Sequence, residues 1–179
     1  MHGFFRGLLA CVFLLLNTLL TPAFAQEAAK QPGFFDGFNP DQMSGDHIHA
    51  MFSPYSFHYS GDDGHQYVWL VGAERERQDG TLAGLAFFSN SFGQHTFYYY
   101  PWGGIVKNVV GIDNLFVKWT AGMLYGYVAP YEDKVPFNYK GFSLGVIPAV
   151  GWRFDGGNQV QVNVFGGAGF MLQFSAQIK

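Results

Sequence analysis

The sequence has little charge and almost no cysteine. Of its 179 residues, 13% are charged, against an average of about 25% in soluble domains. The formal net charge is -3, and because no basic run appears, the composition argues against a nucleic-acid partner. The single cysteine, Cys11, lies near the N-terminus. Beyond it, the chain offers no disulfide, no reactive thiol and no cysteine metal cluster.

Long hydrophobic runs are also scarce. The apolar run at 7–20 follows Arg6 and is followed by the small-x-small sequence Ala-Phe-Ala at 23–25. This order is typical of a secretory signal peptide, which we assign to residues 1–25. The run is short for a membrane helix, which needs about 20 apolar residues. We therefore expect an exported protein whose remaining length, 26–179, is that of one domain.

Aromatic residues and glycine are abundant instead. The chain is 19% aromatic and contains 24 glycines and 20 phenylalanines. Low charge, many aromatics and export without a second hydrophobic helix together favour a bacterial outer-membrane β-barrel. A secreted soluble β-sandwich or lipocalin-like barrel is the alternative.

Alternation with a period of two residues predicts the strands. In 159–164, for example, every second residue is valine and the residues between them are glutamine or asparagine, which gives one apolar and one polar face. Eight such segments occur: 51–60, 67–76, 82–88, 96–102, 115–127, 141–154, 159–164 and 170–178. An even number of strands in a meander predicts an eight-stranded, antiparallel, up-and-down transmembrane β-barrel. The barrel would span 51–179, after a periplasmic lead segment at 26–50.

The fifth predicted strand separates a lipid face from a lumen face. Its odd-numbered positions from Leu115 to Tyr127 are mostly bulky and apolar, and its even-numbered positions are on the whole smaller. Gly122 and Gly126 lie on the even face. These two glycines are therefore expected to leave room inside the barrel.

Three polar residues are predicted to meet at one rim. In outer-membrane barrels both termini are periplasmic and the longer loops face outward, which places His58, Asn90 and Ser91 at the outer rim. Phe57 and Tyr59 would face lipid, so His58 would point into the lumen. A histidine, a hydroxyl and an orienting amide are the groups that acyl transfer uses. The alternative is an ordinary polar turn and a solvated histidine.

Two prolines interrupt predicted strands. Pro148 lies in the sixth strand and Pro54 early in the first. Because proline cannot donate to the ladder of hydrogen bonds, each weakens pairing with one neighbouring strand. In a membrane barrel such a gap could admit a lipid chain from the side. A tolerated bulge is the other interpretation.

A metal site has weaker support. His47 and His49 would share one face of a strand and, together with Asp46, could bind a cation. They lie in the lead segment, where the strand pattern is not apparent. We predict neither a metal nor a cofactor.

From about Pro54 to its C-terminus, the chain resembles the lipid A palmitoyltransferase family of outer-membrane enzymes (the PagP family). The resemblance rests on Pro54 followed by His58, then on the segments RQDGT, LAFFSNSF, WTAGMLYGY and VIPAVGW in order. In that family, a rim histidine and an Asp-Ser pair are required to move a palmitoyl chain from a phospholipid to lipid A. By this match His58 and Ser91 take the histidine and serine places, and Asn90 stands where the family usually has aspartate.

The asparagine changes what the site can do. Asn90 can orient an imidazole by hydrogen bonding, but it cannot stabilise an imidazolium by charge. Asp62 or Asp63 in the first outer loop could supply the missing carboxylate.

The expected function is therefore an outer-membrane acyltransferase. It would move a palmitoyl or other fatty acyl chain from a phospholipid to lipid A, the anchor of lipopolysaccharide, or to another envelope lipid. We expect a monomer, with substrate access past Pro54 and Pro148 and the acyl chain near Gly122 and Gly126. Two alternatives stay open. One is a non-catalytic barrel that binds lipid or serves a structural role, and the other is a lipid A deacylase in which water replaces the acceptor.

Overall fold

The computed structural model describes residues 44–59 and 65–179. Within these ranges, eight antiparallel strands close into a barrel, with each strand pairing with its neighbours in the chain and β8 pairing with β1. The strands are β1 (His47–His58), β2 (Leu70–Glu76), β3 (Leu82–Ser89), β4 (His95–Lys107), β5 (Leu115–Tyr125), β6 (Phe142–Arg153), β7 (Gln159–Val164) and β8 (Gly169–Gln177). The predicted eight-stranded, up-and-down β-barrel is confirmed. The predicted signal peptide, the lead segment up to residue 43, Asp62 and Asp63 lie outside the described residues.

Two strands extend several residues beyond their predicted bounds. β1 begins at His47 rather than Met51, because His47 pairs with Glu76 and the pairing continues upward from there. The boundary placed at residue 50 therefore cuts through the first strand, where two histidines obscured the alternation. β4 continues past Trp102 to Lys107, across two glycines that do not interrupt its pairing with β5.

Polar side chains in the lower half and apolar and aromatic side chains in the upper half line the inside of the barrel, and apolar side chains cover its outside. On β5, Phe116, Lys118 and Thr120 are buried, whereas Met123 and Tyr125 are exposed. The predicted division of this strand into an outer odd face and an inner even face is confirmed. β7 repeats the pattern, with its glutamines and asparagine buried and its valines facing outward.

Connections at the two ends of the barrel differ in length. The upper rim carries the described ends of the 59–69 connection, residues 59 and 65–69, together with 90–94, 126–141 and 165–168. The lower rim carries 77–81, 108–114, 154–158 and both ends of the described barrel. The two longest connections, 59–69 and 126–141, are both on the upper rim. Within the described ranges, no helix is long and apolar enough to cross a membrane.

Charged and amide side chains fill the lower half of the barrel. Glu74 pairs with Lys118 at 2.7 Å, and both side chains are almost completely buried. Below them, the Glu76 carboxylate forms ion pairs with Lys107 (Nζ to Oε1, 2.6 Å) and with Arg153 (Nη2 to Oε2, 2.5 Å). A chain of amide hydrogen bonds continues along the inner faces of β7 and β8, through Gln161, Asn163, Gln173 and Ser175. Buried charges are tolerated only when they are paired, and each of the two glutamate carboxylates has a cationic partner.

Candidate functional site

His58 and Ser91 form the centre of the candidate site. His58 is the last residue of β1, and Ser91 lies in the turn after β3, yet His58 Nε2 and Ser91 Oγ are 2.7 Å apart. Phe57 is exposed on the outer face, so His58 faces inward, as the alternation predicts. With its proton on Nδ1, the imidazole accepts a hydrogen bond from the hydroxyl. In this arrangement a histidine can take the proton of an attacking hydroxyl.

Asn90 is close by but performs a different task from the one predicted. Its side chain is fully buried, and Oδ1 accepts hydrogen bonds from the backbone N–H groups of Phe92 and Gln94, each at 3.0 Å. Nδ2 donates to Thr96 Oγ1 at 3.2 Å. The amide therefore shapes the turn that presents Ser91, in the manner of an Asx-turn. The expectation that Asn90 orients His58 is replaced by this structural role, since the turn uses both ends of the amide.

This geometry predicts the effect of two substitutions at Asn90. Asn90→Asp retains an oxygen for the N–H groups of Phe92 and Gln94, so the turn should persist, and the new carboxylate should face the turn rather than His58. We expect no gain in activity over the wild type. Asn90→Ala leaves two partly buried N–H donors without their acceptor and should destabilise the protein by about 1–3 kcal/mol. Denaturant unfolding of both variants, with activity measured alongside, tests this; higher activity in Asn90→Asp would show that its side chain does reach the imidazole.

A second histidine lies at the site. The ring of His65 stacks on that of His58, with centroids 4.1 Å apart and planes 25° apart. His65 and Phe92 also form an edge-to-face pair with ring centroids 5.9 Å apart, and Phe92 in turn stacks on Tyr131 with centroids 4.3 Å apart. Sequence reasoning missed His65, because it lies in an irregular connection without a strand pattern. The nearest signal is its position between the first two predicted strands, in the loop that follows His58.

An internal cavity opens beneath these residues. Its volume is about 570 Å³, within the 300–1,000 Å³ usual for ligand pockets. His58, His65 and Ser91 lie at its mouth, with Tyr127 beside them. Burial raises the pKa of Tyr127 to about 12, so its hydroxyl stays protonated. The upper wall is mainly apolar and includes Val68, Leu70, Ala86, Phe88, Leu124, Ile147, Phe165 and Met171.

The cavity reaches down to the buried ion pair. Lys118 and Glu74 both line it, and the β5 residues along its wall extend from Lys118 to Leu124. At the usual rise and tilt of barrel strands, that stretch corresponds to a depth of roughly 15 Å. A leaflet of the bilayer has a hydrocarbon thickness of about 15 Å, half of the core. The space is therefore deep enough for one acyl chain, and Phe165 and Met171 form its wall without filling it.

Gly122 and Gly126 do not provide this space. A Cβ on Gly122 would collide with the backbone of Tyr99, and a Cβ on Gly126 with the backbone of His95. Neither glycine is among the residues that line the cavity. The expectation that they leave lumen room is corrected, because the absence of a side chain is used to bring β4 and β5 close together.

Pairing between β6 and β7 stops next to Pro148. β5 pairs with β6 along its whole length, but β7 pairs only with Ala149–Arg153. Above that point, the β6 residues 142–148 have no ladder partner on β7. Leu144 and Val146 are 67% and 70% exposed, and both also line the cavity. The cavity is therefore bounded on this side by a stretch where the two strands are not joined.

A similar break occurs above Pro54. Pairing between β1 and β2 ends at Ser53, and the register between β1 and β8 shifts between Phe52 and Tyr55. Ser53 Oγ donates to the carbonyl of Leu172 at 2.6 Å, which supplies a hydrogen bond across this irregularity. Among the described residues, the upper end of β1 is held by strand pairing to β8 alone.

The residues considered for a cation have other partners. Asp46 Oδ2 accepts from Arg75 Nε at 2.6 Å, His49 lies 3.5 Å from Glu76, and His47 is hydrogen-bonded to Gln177 at 3.0 Å. In the part of the chain that the structure describes, no group of three or more His, Cys, Asp or Glu side chains is arranged to hold a metal ion.

No family model matches the chain, and the search of curated proteins found no match.

Proposed function

We propose that the protein is an outer-membrane acyltransferase that moves a palmitoyl or similar fatty acyl chain from a phospholipid to lipid A or another envelope lipid. The observation that carries the proposal is the 2.7 Å contact between His58 Nε2 and Ser91 Oγ at the mouth of a largely apolar cavity. A base and a hydroxyl placed above a channel for a hydrocarbon chain suit a reaction at the ester end of that chain.

The outer surface of the barrel supports a location in a membrane. Contiguous exposed apolar surface larger than a few hundred Å² marks a membrane or protein interface, and a closed barrel leaves no strand edge unsatisfied in hydrocarbon. Large apolar side chains are exposed on seven of the eight strands, including Phe52, Phe57, Val71, Leu85, Phe97, Trp102, Met123, Leu144, Val146, Val150, Trp152 and Phe174.

The loop lengths support an orientation with the site outward. In outer-membrane barrels the longer connections face outside, and here the longest ones, 59–69 and 126–141, are on the upper rim with His58 and Ser91. Lipid A occupies the outer leaflet of such membranes. The proposed acceptor would then lie beside the mouth of the cavity.

The reaction needs no cofactor. His58 takes the proton of the attacking hydroxyl, either that of Ser91 or that of the acceptor. The hydroxyl oxygen bonds to the acyl carbonyl carbon, the ester bond of the donor breaks, and the proton passes from His58 to the lysophospholipid oxygen. If Ser91 is the attacking group, the acceptor hydroxyl then gives its proton to His58 and attacks the acyl-serine, whose ester bond breaks as the proton returns to Ser91 Oγ. General acid–base help of this kind contributes about 10²–10⁴-fold.

The breaks in strand pairing give the substrates a route. A phospholipid is held in the leaflet, so its chain must enter from the side. The unpaired part of β6 above Pro148 borders the cavity and provides such a passage. The end of β1–β2 pairing next to Pro54 provides a second passage, which would serve the acceptor lipid.

The motif resemblance to the lipid A palmitoyltransferase family agrees with this assignment. His58 and Ser91, the two residues matched to the family's histidine and serine, are brought into contact although 33 positions separate them. Asn90, which replaces the family's aspartate, is committed to the turn.

A non-catalytic lipid-binding barrel is the second candidate. It is favoured by one observation, namely that none of the described carboxylates hydrogen-bonds His58, whose hydrogen-bond partner is Ser91. A histidine without a carboxylate partner is a weaker catalyst than one with it.

Lipid profiles of outer membranes distinguish these functions. Cells carrying the protein or an empty vector are compared by mass spectrometry of lipid A and phospholipids. The proposal expects a gain of one acyl mass in an acceptor lipid and a rise in lysophospholipid. The loss of an acyl chain would support deacylation, and unchanged lipids with folded protein in the membrane would support the binding barrel.

Adding bulk inside the cavity should change the acyl chain that is accepted. Ala86 is buried and lines the cavity beside Tyr98 and Met51. Ala86→Leu places three more carbons in open space, so we expect a shift to chains shorter by a few carbons. Mass spectrometry of products from mixed-chain donors reads the shift. Leu85→Phe is the matched control, since Leu85 points outward and should leave chain length unaltered; equal chain preference in all three proteins would place the chain elsewhere.

A further inference from the structure

The ring of His58 is stacked on that of His65, and the described residues give it no orienting hydrogen bond at its second nitrogen. Catalytic histidines are usually oriented by a hydrogen bond at the second ring nitrogen. Here Nε2 contacts Ser91, and among the described residues no side chain is hydrogen-bonded to Nδ1. Asn90, the candidate from sequence, is occupied by its turn.

His65 meets the ring from its face instead. The centroid distance of 4.1 Å and the small angle of 25° between the planes describe a close parallel stack. A ring held against a flat neighbour loses rotational freedom about its side-chain bonds, while its edge nitrogens stay available. Stacking can therefore fix the plane of His58 without using Nδ1.

The stack is itself anchored to the turn that carries Ser91. The backbone N–H of Gln66 donates to the carbonyl of Ser91 at 2.7 Å, so the segment bearing His65 is hydrogen-bonded to the serine's own backbone. The edge of Phe92 contacts His65, and Phe92 stacks on Tyr131 of the 126–141 connection. Three connections of the upper rim thus meet around the His58 ring.

We propose that His65 is a positioning residue, whose ring stacks on His58 and holds its Nε2 toward Ser91 in place of an orienting hydrogen bond. This role rests on the proposed acyltransferase function. What His65 supplies is a flat ring, and its nitrogen atoms take no part in the transfer.

The proposal separates two substitutions at the same position. His65→Phe keeps a flat ring, whereas His65→Ala removes it. Misplacement of a catalytic group by about 1 Å can cost on the order of 100-fold in rate, so we expect His65→Ala to lower kcat by about 10–100-fold with KM little changed. His65→Phe should retain most of the wild-type kcat. His95→Ala is the control, because His95 is an exposed histidine on the same rim that does not line the cavity.

Nuclear magnetic resonance of histidine-labelled protein in micelles gives a second measurement that needs no activity. The His58 ring protons should shift on His65→Ala through loss of the ring current and move much less in His65→Phe. If His65→Phe is as inactive as His65→Ala, or if both match the wild type, the positioning role is wrong. If the His58 signals do not respond to His65→Ala, the stack does not exist. A different outcome would overturn the proposed function and leave the stacking intact: the wild-type protein transfers no acyl chain, yet the His58 signals still shift on His65→Ala.

Discussion

Replacing His58 with alanine is expected to lower the rate of acyl transfer by about 10²–10⁴-fold, the usual contribution of a general base. The reason is the 2.7 Å contact between His58 Nε2 and Ser91 Oγ, which is lost with the imidazole. Because His58 is the last residue of β1, the strand ladder below it should be unaffected. Transfer of a labelled acyl chain between lipids in micelles measures the rate.

The matched control for this substitution is His95→Ala, which removes an exposed histidine from the same rim and should leave the rate unchanged. Heat-modifiable migration on gels, in which unheated and heated samples run at different positions, or circular dichroism confirms that each variant is folded. A folded His58→Ala protein with near wild-type activity would remove His58 from the chemistry and, with it, the main support for an acyltransferase.

The second large effect concerns the stability of the barrel. Lys118→Met should destabilise the protein by about 3–5 kcal/mol, because it leaves the Glu74 carboxylate buried without its cation. The two side chains are 2.7 Å apart and each is 2% exposed, and Tyr100 alone would still donate to the carboxylate, at 2.9 Å. Denaturant unfolding of the protein in detergent or in vesicles measures the change in the free energy of unfolding.

A double substitution identifies the cause. Lys118→Met combined with Glu74→Gln removes both charges and leaves an amide that Tyr100 can still contact, so it should be much less destabilised than Lys118→Met alone. Lys134→Met is the exposed control, because its pair with Asp133 is largely solvated and such pairs contribute about 0–1 kcal/mol. Equal loss in the single and double variants would attribute the effect to packing of the lysine stem rather than to charge.

The sequence predicts the strand positions because the two faces of each strand have different surroundings, the outside of the barrel and its interior. Apolar side chains on the outside of β7 alternate with amides on the inside, and the alternation itself fixes the strand and its register. The inward direction of His58 followed from the same pattern, since Phe57 beside it is apolar. Where the inner face also carries charges or histidines, as at His47 and His49, the strand was not recognised.

The finer features of the site depend on contacts that alternation does not encode. Asn90 was expected to face His58, but an asparagine at a turn satisfies nearby backbone N–H groups first, and those groups are only two and four residues away. Gly122 was expected to open the lumen, yet the backbone of β4 fills the place of its missing side chain. His65 reaches His58 through an irregular loop, and no periodic pattern specifies such a contact.

The sequence predicts that His58 and Ser91 lie at the same rim, because the strands that carry them both end there, and that His58 faces inward. It does not predict that the two side chains are in contact. Their spacing of 2.7 Å is a property of the turn geometry and of the close packing around Phe92, neither of which was visible beforehand.

The most direct test of the account is to follow one labelled acyl chain. Purified protein is placed in mixed micelles with a phospholipid carrying an isotope-labelled palmitoyl chain and with lipid A, and the products are separated by mass spectrometry. We expect labelled lipid A together with an equal amount of lysophospholipid, and formation of both about 10²–10⁴-fold slower in His58→Ala. Label that appears only as free fatty acid, or that remains in the phospholipid when the barrel is folded, would contradict it.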